Sequence, residues 1–297
     1  PTSIVTGAPA LTSSPGTVSD TAATTDTADT KRYPQYSASD LEVLAVFTSG
    51  STKPQHVRMP DGSEKVLKYG NEKDRDHIRT EVLTQKLYKA AGIPTLDATL
   101  VEVDGKIAQL TDYQPELKVP GVEDLRESPD FFRHVGADMV LSNWDLFKND
   151  NWMEIGGRMV RADLGGALDR RAQGEPKAEF YDTKVSEFNS MREKDAARNP
   201  YRLLTNHEIA DSVRTFVFHL TPEKIDAALE EVGLSTEHAE KLKTALLNRM
   251  RNAKTWADRQ YSLTEVHPVH HRPTPPTLPD DSGTERLDAF AELTELG

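Results

Sequence analysis

Apolar and polar positions alternate over short runs in the first part of the chain, which is the pattern of half-buried β-strands. Residues 41–47 form one such run. Four more runs make two pairs, and an Asp-Gly dipeptide lies between the members of each pair. Such a dipeptide between alternating runs is a strong signal for a β-hairpin. The sequence therefore predicts a small antiparallel sheet with two hairpins, formed by residues 56–59 with 65–69 and by residues 99–103 with 106–110.

A helical pattern first occurs between the two predicted hairpins. Residues 75–91 place apolar side chains three and four positions apart, and Gly92 follows as a stop signal. Helical spacing dominates after Asp130, over residues 131–141, 210–220, 222–232 and 236–261. We therefore expect an α+β fold, with a small β-rich amino-terminal lobe over residues 38–118 and a mostly helical carboxy-terminal lobe over residues 119–264.

The two ends of the chain differ from this folded part in composition. Residues 1–37 are rich in Thr, Ala and Ser and contain little to bury, so we expect a disordered linker. Residues 265–297 contain many prolines and histidines. We expect a second disordered segment there, with room for a short helix at the very end.

Composition excludes several functional classes. The formal net charge of the 297 residues is -12, so general binding to nucleic acids is not expected. The absence of cysteine excludes disulfides, thiolate metal sites and cysteine nucleophiles. No run approaches the roughly 18 apolar residues of a membrane span, and no signal peptide is recognisable, so we expect a soluble protein of undefined compartment. Because the sequence begins with proline, we expect a processed product or part of a longer protein.

The segment with the most chemical information follows the first predicted helix of the second lobe. Residues 141–152 form a polar loop that contains Asp145 and Asn151, and a Gly-Gly turn then leads to a short β stretch that ends in Asp163. Phosphoryl transfer needs a carboxylate that orients the attacking hydroxyl and oxygen ligands that hold Mg²⁺ on the phosphates. Asp145 suits the first task, and Asn151 and Asp163 suit the second.

Phosphoryl transfer also needs a lysine for the nucleotide phosphates and an acid that fixes this lysine. Lys68 lies on a predicted strand, and Glu81 lies on the predicted helix that follows. Taken alone, each residue is better explained as an ordinary solvated side chain. The order of the two element types is what supports a functional interpretation.

Four short runs carry a resemblance to a known family. The runs are Asn-Trp-Asp at 143–145, Asp-Asn at 150–151, Asp-Leu-Gly-Gly-Ala-Leu at 163–168 and Arg-Ala-Gln-Gly at 171–174. With them, the sequence resembles bacterial atypical kinase-like proteins related to HipA and to the phosphoinositide 3/4-kinases, a group that includes kinase-like modules of phage, effector and toxin proteins. The resemblance extends roughly over residues 46–220. It implies a two-lobed protein-kinase-like fold that uses ATP and Mg²⁺.

The resemblance also implies a role for each candidate residue. Lys68 corresponds to the lysine that contacts the ATP phosphates, and Glu81 corresponds to its partner on the helix. Asp145 corresponds to the catalytic aspartate. Asn151 and Asp163 correspond to the metal ligands.

The nucleotide side of the site is implied in the same way. Ser49, Gly50 and Ser51, within residues 48–53, take the place of a glycine-rich phosphate loop. Tyr113 and its neighbours line the adenine side.

One departure from the family pattern leaves a choice of metal ligand open. Asn151 is six positions after Asp145, whereas four residues separate the corresponding pair in the protein-kinase loop. Asn149 and Asp150 therefore remain alternatives to Asn151.

These observations predict an enzyme that transfers the γ-phosphoryl group of ATP to a hydroxyl group, with a protein Ser or Thr as the expected acceptor. Three alternatives remain: an AMP-transferring enzyme of the same fold, an inactive nucleotide-binding module, and a module of a larger secreted or phage-delivered toxin. Arg170, Arg171 and Lys177 follow Asp163. They either contact phosphate or acceptor, or belong to an ordinary solvated loop.

Overall fold

The amino-terminal lobe is a six-stranded sheet with the strand order β1-β5-β6-β4-β3-β2. The computed structural model describes residues 33–48, 52–70, 75–194 and 199–264. The strands of this sheet are β1 (Gln35–Tyr36), β2 (Glu42–Val46), β3 (Gln55–Arg58), β4 (Glu64–Tyr69), β5 (Ala98–Val103) and β6 (Lys106–Asp112). Neighbouring strands are antiparallel, except that β1 runs parallel to β5.

Both predicted hairpins are present. Strands β5 and β6 are joined by Asp104 and Gly105, whose φ angles of 47° and 77° are those of a two-residue turn that matches the twist of the strands. Strands β3 and β4 are joined by a longer loop in which Gly62 has a φ of 87°. The predicted strand at residues 41–47 contains β2, which pairs with β3.

Helix α1 (Arg75–Ala90) lies between β4 and β5 in the chain and packs against β5 and β6. Its apolar positions are buried as predicted, with Ile78, Val82 and Leu87 at most 2% exposed. The amide of Gly92 donates to the carbonyl of Lys89 and ends the helix.

The carboxy-terminal lobe is helical. Its helices are α2 (Val122–Glu127), α3 (Pro129–Val140), α4 (Glu187–Glu193), α5 (Asn206–His219), α6 (Pro222–Val232) and α7 (Thr236–Thr264). Helices α3 and α5 approach closely at Gly136, where a Cβ atom would lie 2.5 Å from the backbone nitrogen of Val213. Ser212 reinforces this contact, because its Oγ accepts from the amide of Gly136 and donates to the carbonyl of Arg133.

A second, two-stranded sheet lies between α3 and α4. It consists of β7 (Trp152–Ile155) and β8 (Arg158–Arg161), joined by the predicted Gly156–Gly157 turn. Trp152 is fully buried, and its Nε1 donates to the carbonyl of Leu146 at 2.9 Å. This hairpin leads directly into Asp163.

The structure differs from the sequence expectation at residues 33–37, which were expected to belong to a linker. Strand β1 pairs with β5 there, and the Tyr33 hydroxyl donates to the carbonyl of Val232 at 2.5 Å. The tail expected at residues 265–297 lies outside the described residues. Among the helices that the structure describes, none is both long enough and apolar enough to span a membrane.

Candidate active site

Three charged side chains meet where the two lobes face each other. The Lys68 ammonium on β4 donates to both carboxylate oxygen atoms of Glu81 on α1, each at 2.8 Å. It also donates to Oδ1 of Asp163 at 2.7 Å. The structure therefore brings together three of the residues that the sequence singles out, although Asp163 is 95 positions from Lys68.

Glu81 is held rigidly at this position. Its side chain is 1% exposed, because α1 turns this face toward the sheet. Gln109 on β6 is the register partner of Lys68 on β4, and its Nε2 donates to Glu81 Oε1 at 3.0 Å. No sequence signal identifies Gln109, since a glutamine in a hairpin strand has no pattern of its own.

The charges of this cluster stabilise one another. Burial disfavours the ammonium form of Lys68, but the attraction of Glu81 and Asp163 outweighs it and raises the Lys68 pKa. Burial likewise opposes ionisation of Asp163, but the adjacent Lys68 ammonium holds the Asp163 pKa below its usual range. Lys68 and Asp163 are therefore charged at neutral pH, and the 55% exposed Asp163 side chain is open to the cleft.

Asp145 lies in a short 3-10 helix (Trp144–Phe147) that follows α3 in the second lobe. Its side chain packs on Gly166, where a Cβ atom would lie 2.4 Å from the carboxyl carbon. Burial is the main cause that raises the Asp145 pKa, and the negative charges of Asp163 and Glu81 add to it, while Lys148 and Lys177 oppose it. None of the hydrogen bonds among described residues engages its carboxylate oxygen atoms.

Asn151 is the buried member of the three candidates for an amide or carboxylate metal ligand. Its Nδ2 donates to the backbone carbonyl of Asp145 at 3.0 Å, whereas Asp150 is exposed and Asn149 is half-buried. This bond leaves the Asn151 Oδ1 atom available on the opposite side of the amide.

The backbone at Asp163 is unusual. Its φ of 47° lies in the left-handed region, which an aspartate adopts more readily than most residues but at some energetic expense. The glycines that follow allow a close approach, because a Cβ atom at Gly165 would lie 3.0 Å from His77 Nε2. That nitrogen donates to the Gly165 carbonyl at 3.1 Å, since a carbonyl only accepts.

A fully buried ion pair supports the loop that carries Asp145. Arg161 on β8 contacts both carboxylate oxygen atoms of Asp138 on α3, at 2.6 and 2.9 Å. The Tyr88 hydroxyl on α1 donates to the same carboxylate at 2.8 Å and accepts from Asn143 Nδ2 at 3.2 Å. Asn143 is two residues before Asp145, so this network connects α1, α3 and β8 to the loop that carries Asp145.

The remaining candidates concern the nucleotide side. Tyr113 follows β6 and stacks on His56 of β3, with ring centroids 3.6 Å apart and an interplanar angle of 18°. It lies on the same sheet as Lys68. Ser49, Gly50 and Ser51 lie outside the described residues.

The donor atoms suit magnesium bound together with phosphates. Mg²⁺ prefers oxygen ligands and is commonly held by one or two side chains plus phosphate oxygen atoms. The Asp163 carboxylate and Asn151 Oδ1 meet this requirement. No cluster of three or more His, Cys, Asp or Glu side chains in the described part of the chain could hold a metal by itself.

Comparison with known proteins gives a fold but no family. No protein-family model and no curated protein sequence matches the chain. The crystal structure of the Helicobacter pylori proinflammatory kinase CtkA aligns with a TM-score of 0.55 at 15% identity, covering 76% of this chain and 99% of that one. The chain has a protein-kinase-like fold.

A second solved structure, the HipA, HipB and operator DNA complex of Shewanella oneidensis MR-1, aligns with a TM-score of 0.38 at 12% identity. That alignment covers 80% of this chain and 68% of the other. The alignment with CtkA confirms the two-lobed α+β prediction. Lys68 and Asp163 lie on opposite lobes of this kinase-like fold.

Proposed function

We propose that this chain is an ATP- and Mg²⁺-dependent phosphotransferase that moves the γ-phosphoryl group of ATP to a hydroxyl group, with a protein Ser or Thr as the expected acceptor. The observation that carries this proposal is the Lys68 ammonium, fixed by Glu81 and in contact with Asp163. A buried ion pair is a weak source of stability. A perturbed charged cluster open to a cleft is more typical of a functional site.

Lys68 supplies the charge that phosphates need. Its raised pKa keeps the ammonium protonated across the physiological range. Since Glu81 and Gln109 fix its position before any ligand binds, the phosphates meet a preorganised donor. Tyr113 provides an aromatic face on the same lobe for the adenine.

Asp145 supplies the acceptor for the hydroxyl proton. In the proposed reaction the hydroxyl oxygen forms a bond to the γ-phosphorus, the bond from that phosphorus to the bridging oxygen breaks, and ADP leaves. Asp145 orients the hydroxyl and takes its proton as the new bond forms. Its free carboxylate oxygen atoms support this role.

Asp163 and Asn151 are the proposed magnesium ligands. Bound magnesium neutralises charge on the phosphates as the reaction proceeds. Asp163 offers an ionised carboxylate that is open to the cleft, and Asn151 offers a neutral oxygen beside Asp145. The contact with Lys68 keeps the Asp163 carboxylate oriented.

The test uses purified protein, Mg²⁺ and two parallel samples of ATP, one labelled at the γ- and one at the α-phosphate. Incubation with a generic protein acceptor and with cell lysate should give incorporation of γ-label only, and EDTA or Asp163→Asn should abolish it. Incorporation of α-label would instead indicate transfer of AMP. Binding of ATP without incorporation of either label would indicate an inactive binding module.

A further inference from the structure

Lys177 lies in the segment that connects Asp163 to α4, and it is buried at 3% exposure. Its ammonium donates to the carbonyl of Ser142 at 2.6 Å and to the carbonyl of Gly166 at 2.8 Å. Ser142 is three residues before Asp145, and Gly166 is three residues after Asp163. One side chain therefore joins the loop that carries Asp145 to the loop that carries Asp163.

The two joined loops already touch at other points. The amide of Leu168 donates to the carbonyl of Leu141 at 2.7 Å. Ser142 and Leu168 both have a φ of 53°, which is uncommon for residues other than glycine. Strained backbone of this kind persists only where surrounding contacts determine it. The bonds of Lys177 are such contacts at Ser142.

The charge of Lys177 has no ion pair of its own among the described residues. Asp145 on its 3-10 helix and Glu187 on α4 attract it, and Arg249 on α7 and Arg171 in its own segment repel it. Glu187 is already paired with Arg249, at 3.0 Å. Burial is the main cause that lowers the Lys177 pKa to about 8.

A buried ammonium bonded to neutral carbonyl groups is a costly arrangement. An apolar side chain at position 177 would avoid the desolvation of a charge. What a side chain with several donors provides, and an apolar one cannot, is a bond to both loops at once. The ammonium adds a positive charge that attracts Asp145. The arrangement is accordingly better explained by the site than by the stability of the fold.

We propose that Lys177 is a positioning residue, which fixes the distance between Asp145 and Asp163 by bonding to the backbone of both loops. This inference rests on the proposed phosphotransferase function. Lys177 touches neither nucleotide nor acceptor in this account. Its loss should therefore slow the transfer step while leaving the Lys68–Glu81 pair and ATP binding largely unchanged.

The test compares Lys177→Met and Lys177→Arg with the wild-type chain, using Lys184→Met as the control because Lys184 is exposed in the same segment. Hydrogen exchange measured by mass spectrometry should rise about tenfold in Lys177→Met across residues 142–151 and 163–168, with the six-stranded sheet unchanged. In kinetics, kcat should fall about 30-fold with the KM for ATP within about threefold. Lys177→Arg should recover part of both effects, and Lys184→Met should match the wild type.

Equal exchange and equal kcat in Lys177→Met and the wild type would overturn the proposal. So would a loss of ATP binding as large as the loss of kcat. If Lys177→Met does not fold, Lys177→Gln takes its place, because glutamine keeps two N–H donors without the charge. The exchange measurement needs no activity, so a wild-type chain that transfers no phosphate would refute the proposed function while the role of Lys177 is still decided.

Discussion

Gly166 packs against Asp145 so closely that a Cβ atom at this glycine would lie 2.4 Å from the carboxyl carbon and from Oδ2 of the aspartate. The position of the proposed proton acceptor is thus determined by the backbone of the loop that follows Asp163. A substitution that adds a side chain to the Asp145 loop or to the Asp163 loop therefore changes the geometry of the other loop.

Replacement of Gly166 by alanine should therefore displace Asp145 and lower kcat by about 100-fold. The fold should persist, because the φ of Gly166 is not in the left-handed region. Gly121→Ala is the matched control, since its Cβ meets only the flexible Asp124 carboxylate, at 3.1 Å. Steady-state kinetics and circular dichroism of both variants check the prediction, and an active Gly166→Ala enzyme would contradict it.

Much of the fold could be predicted from the sequence because the signals are local. The Asp104-Gly105 turn fixes one hairpin, and the spacing of Ile78, Val82 and Leu87 fixes the buried face of α1. Strand β1 could not be predicted, because two residues carry no periodicity. Its pairing depends on β5, which is more than 60 residues away.

The same distinction applies to the residues of the site. Asp145, Asn151 and Asp163 lie in one stretch of sequence and could be proposed from their chemistry. Lys68 and Glu81 could be proposed because a predicted strand is followed by a predicted helix. Contacts made by isolated residues over long separations gave no signal. They involve Gln109, His77, Lys177, the Asp138–Arg161 pair and His238.

Lys68→Met should abolish tight binding of ATP and lower transfer by about 100-fold or more, because a preorganised charge on the phosphates is lost. Lys65→Met is a suitable control on the same strand, where Lys65 pairs with the exposed Asp112. Calorimetric titration with ATP and Mg²⁺ measures the effect. If the Lys68→Met and Lys65→Met variants bind ATP with equal affinity, Lys68 does not contact the nucleotide phosphates.

The buried pair of Asp138 and Arg161 should matter for stability. Asp138→Ala leaves an uncompensated guanidinium in the core, which destabilises by about 3–5 kcal/mol. Asp258→Ala removes the exposed partner of Lys254 and should leave the unfolding free energy close to that of the wild type. Urea unfolding of both variants provides the comparison, and similar midpoints would show that the pair contributes little.

His238 on α7 should make stability depend on pH. Its two ring nitrogen atoms lie 2.9 Å from Asp169 and 3.2 Å from Asp76, and these bonds raise its pKa from 6.5 to about 9. A raised pKa gives a stabilising contribution that is complete below about pH 6.5 and is lost as pH rises through about 9.

The neighbouring charged groups are Arg79 beside Asp76 and Arg170 beside Asp169, and the Tyr181 hydroxyl also donates to Asp169. His238→Gln should lower the unfolding free energy at pH 6 and flatten its decrease between pH 6.5 and 9. The change should be on the order of 1 kcal/mol, because solvent screens a half-buried group. Urea titrations at several pH values measure this change. An unfolding free energy that depends on pH in the same way in His238→Gln and in the wild type would show that the contacts of His238 with Asp76 and Asp169 do not stabilise the fold.

In the proposed reaction Asp145 acts in the transfer step, at a site where Lys68 and Asp163 hold the nucleotide. Mg²⁺-ATP affinity and γ-label transfer should be measured on the same preparations of wild type, Asp145→Asn and the exposed Asp182→Asn. We expect Asp145→Asn to bind Mg²⁺-ATP within about threefold of wild type but to transfer label at least about 100-fold more slowly, while Asp182→Asn does both normally. Undiminished transfer by Asp145→Asn would show that Asp145 has no part in the transfer step.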